Sequence, residues 1–116
     1  MTTAIYYLLF KNEFSAFHRL KSDEIWRYYA GESIILCAIG SKGKLCKTRI
    51  GKDGAFQAVV KSGVWFAAAL NKKKSYCLLG CTMSHGFDVR DCELGKREDL
   101  LRMSPLQNKI IERYTK

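Results

Sequence analysis

The sequence predicts an all-β fold, a sandwich or barrel, finished by one or two short C-terminal helices. Three observations carry this. Short apolar runs rich in β-branched and aromatic residues recur from residue 4 to residue 92. Turn-forming clusters separate them, among them Gly31-Glu32-Ser33, Gly40-Ser41-Lys42-Gly43-Lys44 and Gly51-Lys52-Asp53-Gly54. From Lys96 the apolar spacing changes to that of a helix. Together they describe one domain spanning residues 1–116, with a β unit over about 4–92 and a helical segment over about 96–115.

The elements follow in chain order. Ala4–Phe10 is apolar and reads as a first strand, broken by Lys11-Asn12-Glu13. Phe14–Leu20 is a short strand or irregular edge, and Lys21-Ser22-Asp23 a turn that Ser22 and Asp23 cap. Glu24–Ala30 is the central strand. Gly31-Glu32-Ser33 reads as a tight hairpin from which Ile34–Ile39 returns. Strands follow at Leu45–Ile50, Phe56–Val60, Val64–Leu70 and Ser75–Met83, with Phe87–Cys92 as a last short one. Lys72-Lys73-Lys74 reads as a solvated hairpin tip. Lys96–Met103 is a first helix. Ser104-Pro105 resembles an N-cap with proline at the first helical position, opening a second helix with Leu106, Ile110, Ile111 and Tyr114 on its apolar stripe.

Composition narrows the function classes. Apolar residues at 47% and charged residues at 27% describe a globular chain, and no apolar run approaches the ~20 residues of a membrane helix. The N-terminus has no basic lead and no small-residue cleavage site, so we expect a cytoplasmic protein without membrane contact. Five cysteines, Cys37, Cys46, Cys77, Cys81 and Cys92, are then expected as reduced, mostly buried thiols. The net charge of +9 favours anionic partners. Its basic residues are scattered, so a small anionic ligand is expected rather than nucleic acid.

Chemistry concentrates between Phe17 and Gly31. Strand alternation places Glu24, Trp26 and Tyr28 on one face and Ile25, Arg27 and Tyr29 on the other, with His18 just upstream. A carboxylate beside two large aromatics suits a pocket wall. His18 has the pKa range of a general base, or serves as a hydrogen-bonded structural residue. Glu24 facing an interior needs a partner, such as His18 or Arg19. Trp26 and Tyr28 offer stacking area or core packing, and Gln57 an amide whose face depends on register.

These residues also carry a resemblance. Glu24 and Gly31 have the spacing that closes the first cupin motif, and Lys61-Ser62-Gly63-Val64-Trp65-Phe66 occupies the place of the second. Phe17–Trp26, the Lys61–Ala68 region, Leu78–Thr82 and His85-Gly86-Phe87 together resemble a small cupin subfamily labelled as a domain of unknown function. The resemblance implies a cupin double-stranded β-helix, or jelly roll, with a pocket inside the barrel, commonly as a homodimer. It also implies departures from metal-binding cupins. The second-motif histidine position falls on Phe66, leaving His18 and Glu24 near the first motif, with His85 as a further ligand only if the fold brings it inward. No metal and no cofactor are therefore expected. Sugar-nucleotide 3,5-epimerases, metal-free cupins with a histidine base and a tyrosine acid, are similar in fold. Their acid would fall near Leu79, with Tyr76 on the opposite strand face.

The reading that follows is a cupin pocket that binds or isomerises a small carbohydrate-like or nucleotide-sugar ligand without metal. His18 and Glu24 are its catalytic candidates, and Trp26, Tyr28, Gln57 and Phe66 its ligand-binding candidates. The alternatives are a metal-dependent cupin enzyme using His18 and Glu24, and a cupin that binds without catalysis.

Overall fold

A computed structural model describes residues 2–84 and 88–116. Among the described residues nine strands form in chain order: β1 (Thr3–Phe10), β2 (Phe14–Leu20), β3 (Glu24–Gly31), β4 (Ile34–Ile39), β5 (Leu45–Ile50), β6 (Gln57–Val60), β7 (Trp65–Leu70), β8 (Tyr76–Met83) and β9 (Cys92–Leu94). Two short helices follow, α1 (Arg97–Met103) and α2 (Asn108–Arg113). The strands make two antiparallel sheets, one ordered β1-β8-β3-β6, the other β5-β4-β7-β2-β9. This is the jelly roll expected; the start of β3 alternates buried and half-buried residues, whereas β7, with the helices on its outer side, is buried on both faces.

The expected hairpin at Gly31-Glu32-Ser33 is not one. β3 pairs with β6 and β8 in the first sheet, whereas β4 pairs with β5 and β7 in the second. The turn is a crossing between sheets. The lysine-rich segment between β7 and β8 is a second crossing rather than a hairpin tip. The two crossings are fastened to each other. The Glu32 carboxylate accepts the backbone N–H groups of Lys72, Lys73, Lys74 and Ser75 at 2.6–3.1 Å, and Asn71 N–H donates to Ser33 O. Gly31 has φ +99°, and a Cβ there would meet Tyr76 O at 2.1 Å, so only glycine lets β3 leave the sheet at this point. Across the barrel, Asp23 accepts Ser62 N–H at 2.8 Å and joins the β2–β3 crossing to the β6–β7 crossing.

Two apolar clusters result. Between the sheets lie Leu9, Leu20, Trp26, Phe66, Leu70 and Leu79 with their neighbours. On the outer face of the second sheet, Phe17, Cys37, Ile39, Ala67 and Ala69 pack beneath Leu100, Ile111 and Tyr114. The run Ala67-Ala68-Ala69 serves both: Ala68 faces the interior, while Ala67 and Ala69 are small enough to let the helices close on the sheet. Phe17 N–H donates to Tyr114 O, and Gly95 N–H to Phe17 O, tying the helical segment to β2 where its register shifts between Ser15 and His18.

Other details differ from the sequence expectation. Ser104 does not cap the second helix with its side chain; its Oγ donates to Gly43 O at 2.6 Å, and Pro105–Gln107 is a 3-10 turn before α2. The last strand starts at Cys92, preceded by a 3-10 turn at Val89–Asp91, while Phe87 lies outside the described residues. Cys37, Cys77 and Cys81 are buried and free, Cys92 is half-buried, and Cys46 is exposed on the edge strand β5.

Candidate functional site

β3 carries the centre of the site. Alternation puts Glu24 and Trp26 into the barrel, two residues apart on one face, and Trp26 Nε1–H donates to Glu24 Oε1 at 2.6 Å. That i,i+2 bond supplies the partner a buried carboxyl needs; neither His18 nor Arg19 does, since Arg19 pairs with Glu93 at 2.8 Å on the surface. Burial raises the Glu24 pKa above its ordinary 4.5, against the lowering effect of the Trp26 hydrogen bond. The carboxyl therefore holds its proton nearer to neutral pH than a surface glutamate does.

Trp26 and Phe66 plug the barrel. Both are almost wholly buried, with rings edge-to-face at 6.1 Å. Tyr7 of β1 meets Trp26 from the other side, centroids 5.7 Å apart at 88°. Phe66 is thus core as well as neighbour to the site. Its ring lies against that of His18, centroids 4.1 Å apart and tilted at 48°, where His18 and Phe66 pair across β2 and β7.

His18 faces the interior but does not join Glu24. The contacts between them run through Phe66 and Trp26. His18 Nδ1 lies 2.8 Å from Ala16 O, which fixes Nδ1 as the donor and leaves Nε2 as the acceptor of a neutral ring. Burial pushes its pKa below 6.5, against the Ala16 hydrogen bond, so the neutral form persists to lower pH.

Tyr28 and Gln57 sit elsewhere. The register of β3 slips between Tyr28 and Ala30, and Tyr28 ends near the crossing, its hydroxyl donating to Gly31 O at 2.6 Å and its ring stacked on Phe56. Gln57 pairs with Arg27, on the outward-facing register, and is exposed. Neither shares the cavity at Glu24. His85 lies outside the described residues.

The open space beside Glu24 is a cavity of about 150 Å³ lined by Thr3, Ile5, Glu24, Cys81 and Met83. β1 supplies Thr3 and Ile5 from its inner face, and β8 supplies Cys81 and Met83. Burial, then the Glu24 charge, pushes the Cys81 thiol up to about 12, so it is an apolar wall rather than a nucleophile. At the same end of the barrel, Arg19, Lys21, Ser62, Arg90, Asp91 and Glu93, with Leu20 and Cys92, line a wider cleft of about 590 Å³. Cys92, on its wall, feels the Glu24 charge as well as burial.

Tyr7 is the interior residue that sequence reading passed over. Burial raises its phenol pKa, against a hydrogen bond with Ser15, and the Glu24 charge adds to the rise. Its signal was available: Tyr7 shares alternation with the buried Leu9 and opposes the exposed Tyr6 and Leu8.

The donor set does not suit a first-row metal. Among the described residues no group of three His, Cys, Asp or Glu side chains converges. Glu24 is engaged by Trp26, His18 by Ala16 and Phe66, and such sites want three or four ligands.

The comparisons agree with this fold. The family profile described as "Cupin superfamily (DUF985)" matches residues 1–95. A Shewanella oneidensis protein of known structure is 35% identical, with TM-score 0.93, covering 99% of this chain and 75% of its own. A hypothetical protein from Leishmania major is 26% identical, with TM-score 0.88, covering 98% and 76%. A dTDP sugar isomerase from Desulfovibrio desulfuricans shares the fold at 11% identity and TM-score 0.70, covering 81% and 64%. No curated protein matches the chain.

Proposed function

The chain belongs to the DUF985 family of the cupin superfamily, and from that premise we propose that its barrel is a metal-free binding site for a small carbohydrate-like ligand, held against Glu24. The observation that carries this reading is a desolvated carboxyl, with raised pKa, lining a cavity of about 150 Å³. That volume limits the ligand. A cavity of roughly this size encloses one six-membered ring, and whole drug-sized ligands need about 300 Å³ or more. A sugar ring or short polyol fits the cavity. The anionic remainder of a sugar phosphate or nucleotide sugar would lie in the wider cleft beside Arg19, Lys21 and Arg90, exchanging their ion pairs with Glu93, Asp91 and Asp88, in a chain whose +9 charge attracts it.

Two chemical roles are open to Glu24. As an acid it donates a hydrogen bond to a ligand hydroxyl; as a proton carrier it exchanges a proton with a carbon or oxygen of the ring, which is isomerisation chemistry. The isomerase among the structural relatives shows the fold alone at 11% identity, so its reaction enters here only as one of these roles. His18, walled off by Phe66 and Trp26, supports the interior and does not complete an acid–base pair with Glu24.

The test is a thermal-shift series with sugars, sugar phosphates and nucleotide sugars on wild type, Glu24→Gln and Ile5→Trp. Ile5 is 54% exposed, so tryptophan fills the cavity mouth without burying new area in the core. We expect a ligand that raises the wild-type Tm, raises that of Glu24→Gln less, and leaves Ile5→Trp unmoved. If no ligand raises Tm, or if both variants respond like wild type, the assignment fails. Elemental analysis of tag-free protein should find well under one transition metal per chain; near-unit metal, lost on His18→Ala, would favour the metal-dependent reading instead.

A further inference from the structure

The net charge is unevenly placed. Nine of the twenty lysines and arginines, but one of the eleven acidic residues, fall between Lys42 and Lys74. The rest of the chain is close to balanced, so this stretch holds nearly all of the +9. Elsewhere on the surface, cations stand beside carboxylates: Arg19 with Glu93, Arg90 with Asp88, Arg102 with Asp99. Within the stretch, Lys61 is the one lysine in an ion pair among the described residues, with Asp23 at 4.0 Å.

The fold gathers these charges along one edge. β5 is the outermost strand of the second sheet. Ile50 faces the interior, so alternation turns Lys47 and Arg49 to the outer face. Lys42 and Lys44 lie in the turn that enters β5, and Lys52 in the turn that leaves it. Ile34 pairs with Ile50 on one side and with Leu70 on the other. The chain leaving β7 therefore brings Lys72, Lys73 and Lys74 to the same end. All these side chains are exposed. Lys47 and Arg49 share an open cleft of about 560 Å³ with Ile35, Asp53 and Asn71. Protection of a sheet edge explains a charge or two on β5, but not three lysines on a crossing. The nearby carboxylates are engaged. Glu32 accepts the backbone N–H groups of residues 72–75, and Asp53 accepts from Ser33 Oγ and from Arg49.

The array is long and ends beside an aromatic ring. The six residues of β5 alone run about 20 Å at ~3.3 Å each, more than one small anion covers. Ala55 N–H donates to Arg49 O, which sets Phe56 next to the end of β5. Phe56 is 65% exposed and is held by stacking on Tyr28, centroids 6.3 Å apart at 18°. That exposure leaves ring surface for a further planar group.

We propose that β5, its two flanking turns and the β7–β8 crossing bind a single-stranded nucleic acid, with phosphates along the lysines and a base on Phe56. The chemistry chooses this partner. A chain of phosphates matches a row of unpaired cations, and stacking on a ring requires bases that are not closed into a duplex. An acidic protein would need an apolar core to its interface, which a surface of exposed lysines does not offer. The expectation of a small anion alone rested on the scatter of basic residues along the sequence, and the fold removes that scatter. None of these residues lines the cavity at Glu24, so the surface is independent of the barrel ligand.

Fluorescence anisotropy with a labelled oligothymidylate of about 12 nucleotides tests the proposal. Wild type should bind it at about 50 mM salt and lose roughly 50-fold in affinity by about 200 mM, the loss expected for about four phosphate contacts on a single strand. Lys47→Gln combined with Lys52→Gln should weaken binding at least about tenfold and flatten the salt slope by about 1.4, at ~0.7 per lost contact. Lys96→Gln combined with Lys116→Gln removes the same charge beside β9, at the opposite edge of the sheet, and should change affinity less than about twofold. Phe56→Ala should weaken binding about fivefold or more, and Phe56→Tyr should not. The same strand annealed to oligoadenylate should bind more weakly than it does alone. Should Phe56→Ala fold poorly by circular dichroism, this duplex comparison tests the stacking in its place. No binding at about 50 mM salt overturns the proposal. So does a salt slope that the Lys47 and Lys52 changes leave intact, an equal loss in the β9 control, or equal affinity for the duplex. Polyglutamate that displaces the oligonucleotide at equal charge would overturn it in favour of an acidic protein segment.

Discussion

At the residue scale, Glu24 combines three properties: burial, one strong hydrogen-bond donor, and a neighbouring void. Its protonation sets a pH dependence whose sign is fixed. Because folding raises its pKa above 4.5, the unfolded chain releases this proton first as pH climbs. The folded state then loses stability from about pH 4.5 up to the folded pKa, and stays at the lower level above it. His18 works the other way. Its folded pKa lies below 6.5, so stability is lost as pH falls through that region, where the unfolded chain takes up the proton first. Glu24→Gln isolates the carboxyl. The amide oxygen still accepts from Trp26, and no charge is left to desolvate. We expect the Tm difference between variant and wild type to grow with pH in the variant's favour, then level off; a difference independent of pH would mean that Glu24 is not desolvated in solution. The Glu24–Trp26 face was legible because alternation is a local rule. The separation of His18 from Glu24 was not, since it depends on two aromatic rings arriving from β3 and β7. Tyr28 lies away from Glu24, and the face of Gln57 could not be read, for a related reason: a slip in the β3 register and the facing of β6 are set by partner strands, not by their own sequence.

At the scale of elements, Glu32 does the work that a hairpin turn was expected to do. It joins the β3–β4 crossing to the β7–β8 crossing by accepting four backbone N–H groups. Partial burial pushes its carboxyl pKa up, but those four hydrogen bonds outweigh it and hold the pKa below 4.5. Its contribution is therefore complete above pH 4.5 and is lost as pH falls through the folded value. Glutamine keeps one acceptor and turns an NH₂ toward donors. Glu32→Gln should lower stability by about 1–2 kcal/mol at neutral pH, within the range for hydrogen bonds to a charged group and discounted for solvent exposure. Urea denaturation at pH 7 and again near pH 3 checks this, because the gap between variant and wild type should close in acid. An unchanged midpoint at pH 7 would deny Glu32 the role. Strand positions were readable along the chain from apolar runs and turn clusters. Strand partners were not, because a short turn between two strands looks the same in sequence whether the chain folds back or crosses to the facing sheet.

At the scale of the molecule, the outer face of the second sheet is sealed by α1 and α2. Leu100 and Ile111 are the seals, each at most 1% exposed over Phe17, Ile39 and Ala67. Leu100→Ala and Ile111→Ala should each cost about 2–4 kcal/mol, the range for large-to-alanine changes in a packed core. Thermal unfolding reads this directly, and a loss under 1 kcal/mol at both would show that the helices pack loosely. Ile110, Ile111 and Tyr114 of the expected apolar stripe pack on the sheet, but Leu106 lies in the turn before α2 and is 91% exposed; which sheet the helix would cover was not visible, because Ala67 and Ala69 announce a close approach only once Phe66 and Ala68 are known to face inward. The pairing of β1 with β8 has a further consequence, one of timing. During synthesis at about 5–20 residues per second, Ala4–Phe10 emerges roughly 3–15 s before the strand that completes its hydrogen bonds. For that interval the backbone of Ile5, Tyr6, Tyr7, Leu8 and Leu9 has no native strand partner in the growing chain. Those seconds are when a chaperone that shields apolar segments would raise the yield of this protein most, and the dependence should disappear once Met83 has left the ribosome and the register from Thr3 to Phe10 can close.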